Sequence, residues 1–497
     1  MKGTCYFAIV LSAAVLLLSP SSAWTFGEDT PDVLALYSPE SQGLIPFGDA
    51  IMVDDPWWQP SRADQESQMC VITSSETVAY SAHRIGGCRM YTIDMVNIPW
   101  KQDYDGTNWA MYFNDDGTPL PYESVAYGAK TKANIFGPGW GVATYAYDVH
   151  PDSLAIAVSA GHVPLLQLFQ DDGTPIVPVR CLVPEDFAAA PGDIRVGDWE
   201  FLSNGNIVSM GESRQIDENI NLFGVAEDQS GNVLYLSIMK PDEQFPSVHF
   251  GRLSEEARNT QTWHGLGVTQ NGFAARFDMP GVGPNLRFFQ NDATPLTGDI
   301  PLSSYGEGEL AGALGGGGRG DEPGWHGDGA NRYIYINPDP IQVMPGRAPI
   351  AGVFDEDGDL IVGPIVVTAG PDGWTDIHCE RIDAYLQTNP ATGRFVCVWT
   401  DQTYLGYGAD AAILMGRIFD ADGTPLTKMM ALDNHFDLDL MDQPGLSRRP
   451  RVYWRGNKIA VSWVTTNFDE NPTYQMCTLR TFQFGEDVTA IEDFMLY

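Results

Sequence analysis

Aromatic rings beside carboxylates and imidazoles are the side chains here best suited to chemistry. Trp109, Trp325, His326, Trp374, Asp376, His378, Tyr404 and Tyr407 fall in or beside long polar stretches. Rings of this kind stack on sugars or peptides while neighbouring acids accept hydrogen bonds, so the set is a candidate ligand-binding surface. Packing of a loop onto the body explains any single one of these rings more simply. His378, flanked by Asp376 and Glu380, is the densest titratable combination, and a solvated loop accounts for it equally well.

Cation binding is the second chemistry on offer. Asp355-x-Asp357-Gly and Asp420-x-Asp422-Gly set paired carboxylates on short turns, and Asp437 and Asp439 belong to an acidic run with Asp433 and Asp442. Calcium takes about six to eight oxygens, and the third Asp and distal Glu of an EF-hand loop are missing. Plain hairpin turns are the better reading; no cofactor is required, and Ca²⁺ is the one ion the pattern allows.

Signatures of catalysis are absent from the sequence. It has no His-Glu-x-x-His, no Gly-x-Ser-x-Gly, no P-loop, no dinucleotide fingerprint and no Ser-x-Asp-x-Gly-x-Thr-Trp box. Carboxylate pairs for glycoside hydrolysis are defined by their separation in space, which a sequence rich in acids does not supply. Gly315–Gly318 reads as a flexible loop, and Arg319-Gly-Asp321 as a chance tripeptide. The reading therefore leans away from an enzyme.

The elements that must position these residues are short strands. One phrase recurs: an aromatic residue, an Asp-rich turn, then Gly-Thr-Pro-Leu or a variant. It appears as Phe113-Asn-Asp-Asp-Gly117-Thr-Pro-Leu120, Phe169-Gln-Asp-Asp-Gly173-Thr-Pro-Ile176, Phe289-Gln-Asn-Asp-Ala293-Thr-Pro-Leu296, Phe354-Asp-Glu-Asp-Gly358-Asp-Leu360 and Phe419-Asp-Ala-Asp-Gly423-Thr-Pro-Leu426. Weaker copies centre on Gly43, Gly231 and Gly485. Asp bonds nearby backbone, Gly accepts positive φ, and Pro suits the start of an edge strand, so each copy is a β-hairpin.

Between hairpins lie apolar runs that fit strands covered on both faces: Thr77–Ser81, Leu154–Ser159, Ile207–Met210, Phe273–Phe277, Tyr333–Ile336, Phe395–Trp399 and Ile459–Val464. The hairpin position returns at intervals of 74, 56, 58, 62, 65, 65 and 62 residues. Each interval has room for one four-stranded antiparallel sheet, and radial repetition of such sheets makes a propeller. The expectation is an all-β fold, a seven-bladed β-propeller over 24–485, with six or eight blades or two β-sandwiches as alternatives. The segment Leu34–Val53 should pair with Val452–Phe484 and close the ring. Hairpins should then share one face. The long segments Arg84–Trp109, Ser303–Arg332, Gly370–Asp383, Asp401–Ala411, Asp433–Arg451 and Thr465–Tyr474 should share the other, where binding is usually seated.

Charge and export bound the partners. Residues 1–23 read as a signal peptide: Lys2, an apolar run from Phe7 to Leu18 too short to span a bilayer, and small residues up to Ala23. The chain carries 28 basic and 65 acidic residues, a net charge of −37. That field repels nucleic acid and anionic membranes, and suits a chain dissolved outside the cell or at its surface. Carbohydrate or protein at a cell surface remains as partner, with no nucleic acid and no membrane insertion. Beyond Cys5, six cysteines remain, and their spacing does not select a pairing; Cys70/Cys88 and Cys379/Cys397 are nearest in sequence, and buried free thiols are an equal alternative.

The run Gly393-Arg-Phe-Val-Cys-Val-Trp399, with Met415-Gly-Arg-Ile-Phe-Asp-Ala-Asp-Gly-Thr-Pro-Leu426 after it, resembles a family of repeats in secreted bacterial proteins. In that family an apolar strand ending in Trp precedes an Arg-x-Phe-Asp-x-Asp-Gly-x-Pro-Leu hairpin. The resemblance implies a propeller-like extracellular module and no particular activity. The tail 486–497, with Val488-Thr-Ala-Ile-Glu-Asp-Phe-Met-Leu-Tyr497, is similar to the linker before the C-terminal sorting domain of type IX secretion cargo. Three roles follow: a non-enzymatic binding propeller first, then a carbohydrate-active hydrolase or lyase, then a structural module of an adhesin.

Overall fold

The computed structural model describes residues 38–47, 51–53, 64–72, 78–85, 107–113, 119–124, 130–133, 142–149, 163–169, 175–182, 192–215, 232–250, 258–259, 265–279, 282–306, 314, 325–328, 331–337, 349–368, 384–401, 413–432, 445–467 and 474–485. These form thirty strands. β1 (Leu44–Pro46) and β2 (Ile51–Val53) come first. Blade one holds β3 (Asp64–Ile72), β4 (Val78–Ile85), β5 (Thr107–Phe113) and β6 (Pro119–Ser124). Blade two holds β7 (Lys130–Ala133), β8 (Val142–Val149), β9 (Val163–Phe169) and β10 (Pro175–Cys181). Blade three holds β11 (Gly192–Phe201), β12 (Ile207–Gln215), β13 (Asn232–Met239) and an outer strand in two pieces, β14 (Val248–Phe250) and β15 (Arg258–Asn259). Blade four holds β16 (Gly265–Val268), β17 (Gly272–Met279), β18 (Gly283–Gln290) and β19 (Ile300–Pro301). Blade five holds β20 (Trp325–Gly327), β21 (Tyr333–Asn337), β22 (Ile350–Phe354) and β23 (Leu360–Val366). Blade six holds β24 (Ala384–Thr388), β25 (Phe395–Asp401), β26 (Ile413–Phe419) and β27 (Met430–Ala431). Blade seven holds β28 (Gly445–Arg455), β29 (Lys458–Asn467) and β30 (Tyr474–Phe484), and borrows β1 and β2.

Each blade is an antiparallel meander, and the blades form a circle. The first strand of each blade touches the first strand of the next: β3 to β7, β7 to β11, β11 to β16, β16 to β20, β20 to β24, β24 to β28, and β28 back to β3. The fold is thus an all-β propeller of seven blades. Six blades, eight blades and two sandwiches are each incompatible with that closed sequence of contacts.

Hydrophobic clusters lie between blades rather than within them. Ile334 and Ile336 of blade five pack with Leu386, Phe395 and Trp399 of blade six. Phe273 and Phe277 of blade four pack with Val208, Met210 and Leu236 of blade three. Sandwiching explains why the second strands are apolar on both faces; all five residues of β21 are buried. The inner edges, otherwise unpaired, are tied from blade to blade by side chains. Asp198 accepts the Leu266 N–H at 2.8 Å, and Thr388 Oγ1 donates to the Gly327 carbonyl at 2.7 Å. Prolines mark several outer strands, including Pro46, Pro119, Pro175, Pro301 and Pro364, where a missing N–H discourages pairing with another chain.

Closure joins the chain ends as expected. Leu44, Ile45 and Pro46 pair with Phe484, Gln483 and Phe482; Ile51, Met52 and Val53 pair with Leu479, Thr478 and Cys477. Gly43 and Gly485 are therefore not two hairpins. They meet at one place, with Gly485 N–H toward the Gly43 carbonyl at 3.5 Å, where the other blades run their third-to-fourth turn.

Other expectations need correction. Gly231 precedes a third strand instead of following it; blade three turns at Lys240–Ser247, where Glu243 accepts from the Lys240 N–H at 2.9 Å. A Pro-Asp turn replaces Asp-Gly there, so the phrase is lost. Leu154–Ser159 lies outside the described residues, between β8 and β9, and blade two's second strand is β8. Both segments alternate apolar and small residues, and only the pairing of β8 with β9 separates them. Ser303–Arg332 is not one loop: β20 runs through it, and Asp328–Arg332 turns on the opposite face. Cys397 is a free, buried thiol, which removes the Cys379/Cys397 pairing; Cys181 is buried too. Burial pushes the Cys397 thiol pKa up, the Arg417 charge opposing, so it stays an unreactive core side chain.

Candidate functional site

The two faces of the ring differ in chemistry. First-to-second and third-to-fourth turns share one face, and among the described residues several of their acids cap the turns themselves. Asp355 Oδ1 accepts the Asp357 and Asp359 N–H groups at 3.0 and 2.9 Å, and the turn closes through Gly358, at φ 84°. Asp420 Oδ1 accepts from Ala421 N–H, and Asp422 Oδ1 from Thr424 N–H, both at 2.9 Å. Asp292 Oδ1 does the same for Thr294 at 2.9 Å, although Ala293 must take φ 65° where the other copies use Gly. Asp355 and Asp357 thus sit on one blade's turn and Asp420 and Asp422 on the next blade's; the carboxylates of Asp355, Asp420 and Asp422 cap their hairpins, and Asp357 gives its backbone N–H. Among the described residues no three His, Cys, Asp or Glu side chains are placed to share a metal ion.

Turns of successive blades interlock on this face. Asp328, fully buried, receives Arg332 Nε at 3.0 Å and Nη2 at 2.7 Å, while Arg332 Nη1 reaches the Ala421 carbonyl of blade six at 2.8 Å. Gly393 shows how tight the fit is: it holds φ +72°, and a Cβ there would lie 1.9 Å from Arg332 Nη2. Thr269 Oγ1 and Tyr333 Oη are 3.2 Å apart across the seam of blades four and five. Burial, with Asp359 and Asp355 nearby, pushes Tyr305 up to about 12, and its hydroxyl donates to the Gly358 carbonyl.

Two acids of this face titrate in opposite directions. Glu356 is raised above its ordinary value, first by burial, then by Asp357 and Asp355, with a hydrogen bond from Asn271 opposing. A raised acid contributes stability only while it is protonated, and that contribution is lost as pH rises through its folded value. Asp422 is lowered by the backbone and side-chain hydrogen bonds of Thr424, so its contribution appears above the unfolded value and is lost as pH falls through the folded one. Glu356→Gln is therefore expected to raise the urea midpoint near pH 8 and leave it unchanged near pH 3; Asp422→Asn should lower it near pH 8 and by less near pH 3. The same change at both pH values for either variant would contradict these assignments.

The opposite face receives the second-to-third connections and the links from one blade to the next. Residues 86–106, 307–324, 369–383, 402–412 and 433–444 all join strand ends there. Trp325 and His326 are strand residues at the loop-side start of β20, opposite Tyr335 and Ile334. Trp109 is on β5, opposite Ala82 in blade one. Trp374, Asp376, His378, Tyr404, Tyr407, Asp437 and Asp439 lie outside the described residues. Connectivity nevertheless sorts the ligand candidates. The link from β23 to β24 carries Trp374, Asp376 and His378, and the link from β25 to β26 carries Tyr404 and Tyr407. With Trp325 and His326 they all belong to blades five and six, whereas Trp109 belongs to blade one, whose first strand touches those of blades two and seven.

Arginines are the residues that sequence reasoning missed. Arg276, Arg417, Arg451 and Arg480 are almost wholly buried, and the Arg451 guanidinium lies 5.0 Å from the Tyr385 ring centroid across the seam of blades six and seven. For Arg417 and Arg480 the signal was present in the Arg-x-Phe of the repeat, without an indication of what the Arg would meet.

No protein-family model and no curated protein sequence matches the chain. Solved structures of similar shape include a protein of unknown function from Dyadobacter fermentans, at 10% identity and TM-score 0.41, covering 89% of this chain and 100% of that one. An α-L-arabinofuranosidase from Fusarium graminearum matches at 10% identity and TM-score 0.34, covering 87% and 97%. A Trypanosoma rangeli sialidase matches at 11% identity and TM-score 0.35, covering 83% and 59%. Likenesses of this size say nothing of activity, and the propeller assignment stands on the chain's own strand pairings.

Proposed function

We propose that the chain is a secreted, non-enzymatic propeller that binds a carbohydrate or protein surface outside the cell through its loop-rich face. The observation that supports this most is the contrast between faces. On one, Asp355, Asp420 and Asp422 are committed to their own turns' backbone. On the other, long connections carry the aromatic and acidic residues, with the blade five and six links richest in them. Rigid blades beneath long connections are a common basis for recognition. Export through the N-terminal leader, with a C-terminal tail similar to a type IX sorting linker, completes the reading, with Ca²⁺ optional.

A panel of immobilised polysaccharides tests it. The unmodified chain is expected to bind at least one; Trp374→Ala should weaken that binding about tenfold or more, and Trp109→Ala should not. Binding to none would sink the carbohydrate form of the proposal. Release of new reducing ends or unsaturated products would replace it with the hydrolase or lyase reading.

A further inference from the structure

In blades two, five and six the carbonyl just past the outer strand is received by the next blade. In blade five this residue is Val367. Its N–H donates to the Pro349 carbonyl at 2.9 Å, and its own carbonyl accepts Arg417 Nη1 at 3.2 Å. Blade six repeats the arrangement. Leu432 N–H donates to the Leu414 carbonyl at 2.8 Å, and its carbonyl accepts Arg480 Nη1 at 3.1 Å.

The two arginines occupy matching positions, two residues before Phe419 and Phe482 on the third strand. Each lies over that ring, at 5.7 and 5.0 Å from the centroid. Arg417 Nε is also held by the Thr427 carbonyl at 3.0 Å. Seams without the arginine solve the same problem differently. Between blades two and three, Ser209 Oγ donates to the Leu182 carbonyl at 2.9 Å, and Ser209 pairs with Ser237, which stands in the arginine's place. In blade five that place is Gly352, and a Cβ there would be 3.0 Å from Leu314 Cδ1, so a residue of the preceding link fills the space.

Directly after each of these carbonyls the chain leaves for the loop-rich face. We propose that Arg417 and Arg480 are positioning residues for that face. Arg417 fixes the take-off of the link carrying Trp374, Asp376 and His378, and Arg480 that of the link carrying Asp437 and Asp439. A charged donor on a buried carbonyl is a strong anchor, and an abandoned buried carbonyl is costly. What the links bind rests on the proposed function; the anchoring does not.

Hydrogen–deuterium exchange on the full chain reads the anchor without any ligand. In the unmodified protein, Val367 and Leu432 amides should exchange as slowly as mid-strand amides, though they end outer strands. Arg417→Gln should speed exchange at 366–368 about tenfold or more and leave 431–432 unchanged. Arg480→Gln should do the reverse, and Arg417→Lys should recover part of the protection. Equal acceleration at both seams, or none at the seam concerned, would overturn the proposal. If the glutamine variants do not fold, fast exchange of Val367 and Leu432 in the unmodified protein overturns it alone. Failed polysaccharide binding with the expected exchange pattern would remove the carbohydrate proposal and leave the anchor standing.

Discussion

A chain beginning after Val53 is expected to lose about 5 kcal/mol or more of folding stability and to associate through its exposed edge. Leu44 is buried among Trp454, Trp463, Phe482 and Phe484, and loss of such a leucine costs about 2–5 kcal/mol. The same cut bares the outer edge of β30 and removes the Phe47 N–H bond to the Thr481 carbonyl at 3.0 Å. It also removes the Gln42 side-chain oxygen that accepts from Lys428 N–H at 2.9 Å. The Glu40–Arg480 pair at 3.8 Å adds little, because Glu40 is half exposed. Whole domains are stable by about 5–15 kcal/mol, so a loss of this size approaches unfolding. An open sheet edge then invites pairing between chains. Urea denaturation and size-exclusion chromatography would show the effect, and a peptide spanning 38–53 added in trans should restore part of it. A truncated monomer with an unchanged midpoint would contradict the closure of blade seven.

Asp328→Ala is expected to be the most damaging single polar substitution, at about 3–5 kcal/mol. Its carboxylate is fully buried and accepts two guanidinium N–H groups and the Arg332 backbone N–H at 3.0 Å. Removing it strands the Arg332 charge against blade six, and breaking a buried pair from one side costs about this much. The exposed pair Arg394–Asp420, at 3.5 Å with side chains 27% and 43% exposed, is the comparison. Arg394→Ala should cost about 1 kcal/mol or less. Thermal unfolding of both variants gives the ratio, and equal losses would mean that the Asp328 pair is no more than a surface contact.

The blades were legible because strand and turn obey short-range rules. Apolar alternation at Phe395–Trp399 and Asp-Gly turns at Gly358 and Gly423 needed no partner to be recognised. Blade three hid its hairpin because Lys240-Pro-Asp-Glu makes the same reversal without glycine. Gly43 and Gly485 looked like separate repeats because only the closed ring brings them together. The buried arginines were illegible in function, since their acceptors at Val367 and Leu432 lie about fifty residues earlier and in another blade. Of the ligand candidates, composition could select the residues, but grouping seven of them on blades five and six required the strand order.

The two faces, the seams and the arginine anchors all depend on one ring whose last blade is completed by the first strands. Ile45 and Gln483 are opposed Cα partners in β1 and β30, and both side chains are exposed. Opposed antiparallel positions lie within the span of a disulfide. In the double variant Ile45→Cys with Gln483→Cys, peptide mapping by mass spectrometry should find the two introduced thiols joined within one chain after mild oxidation, with a higher unfolding midpoint. Thiols that stay free, or that join only between chains, would show that the ends do not meet.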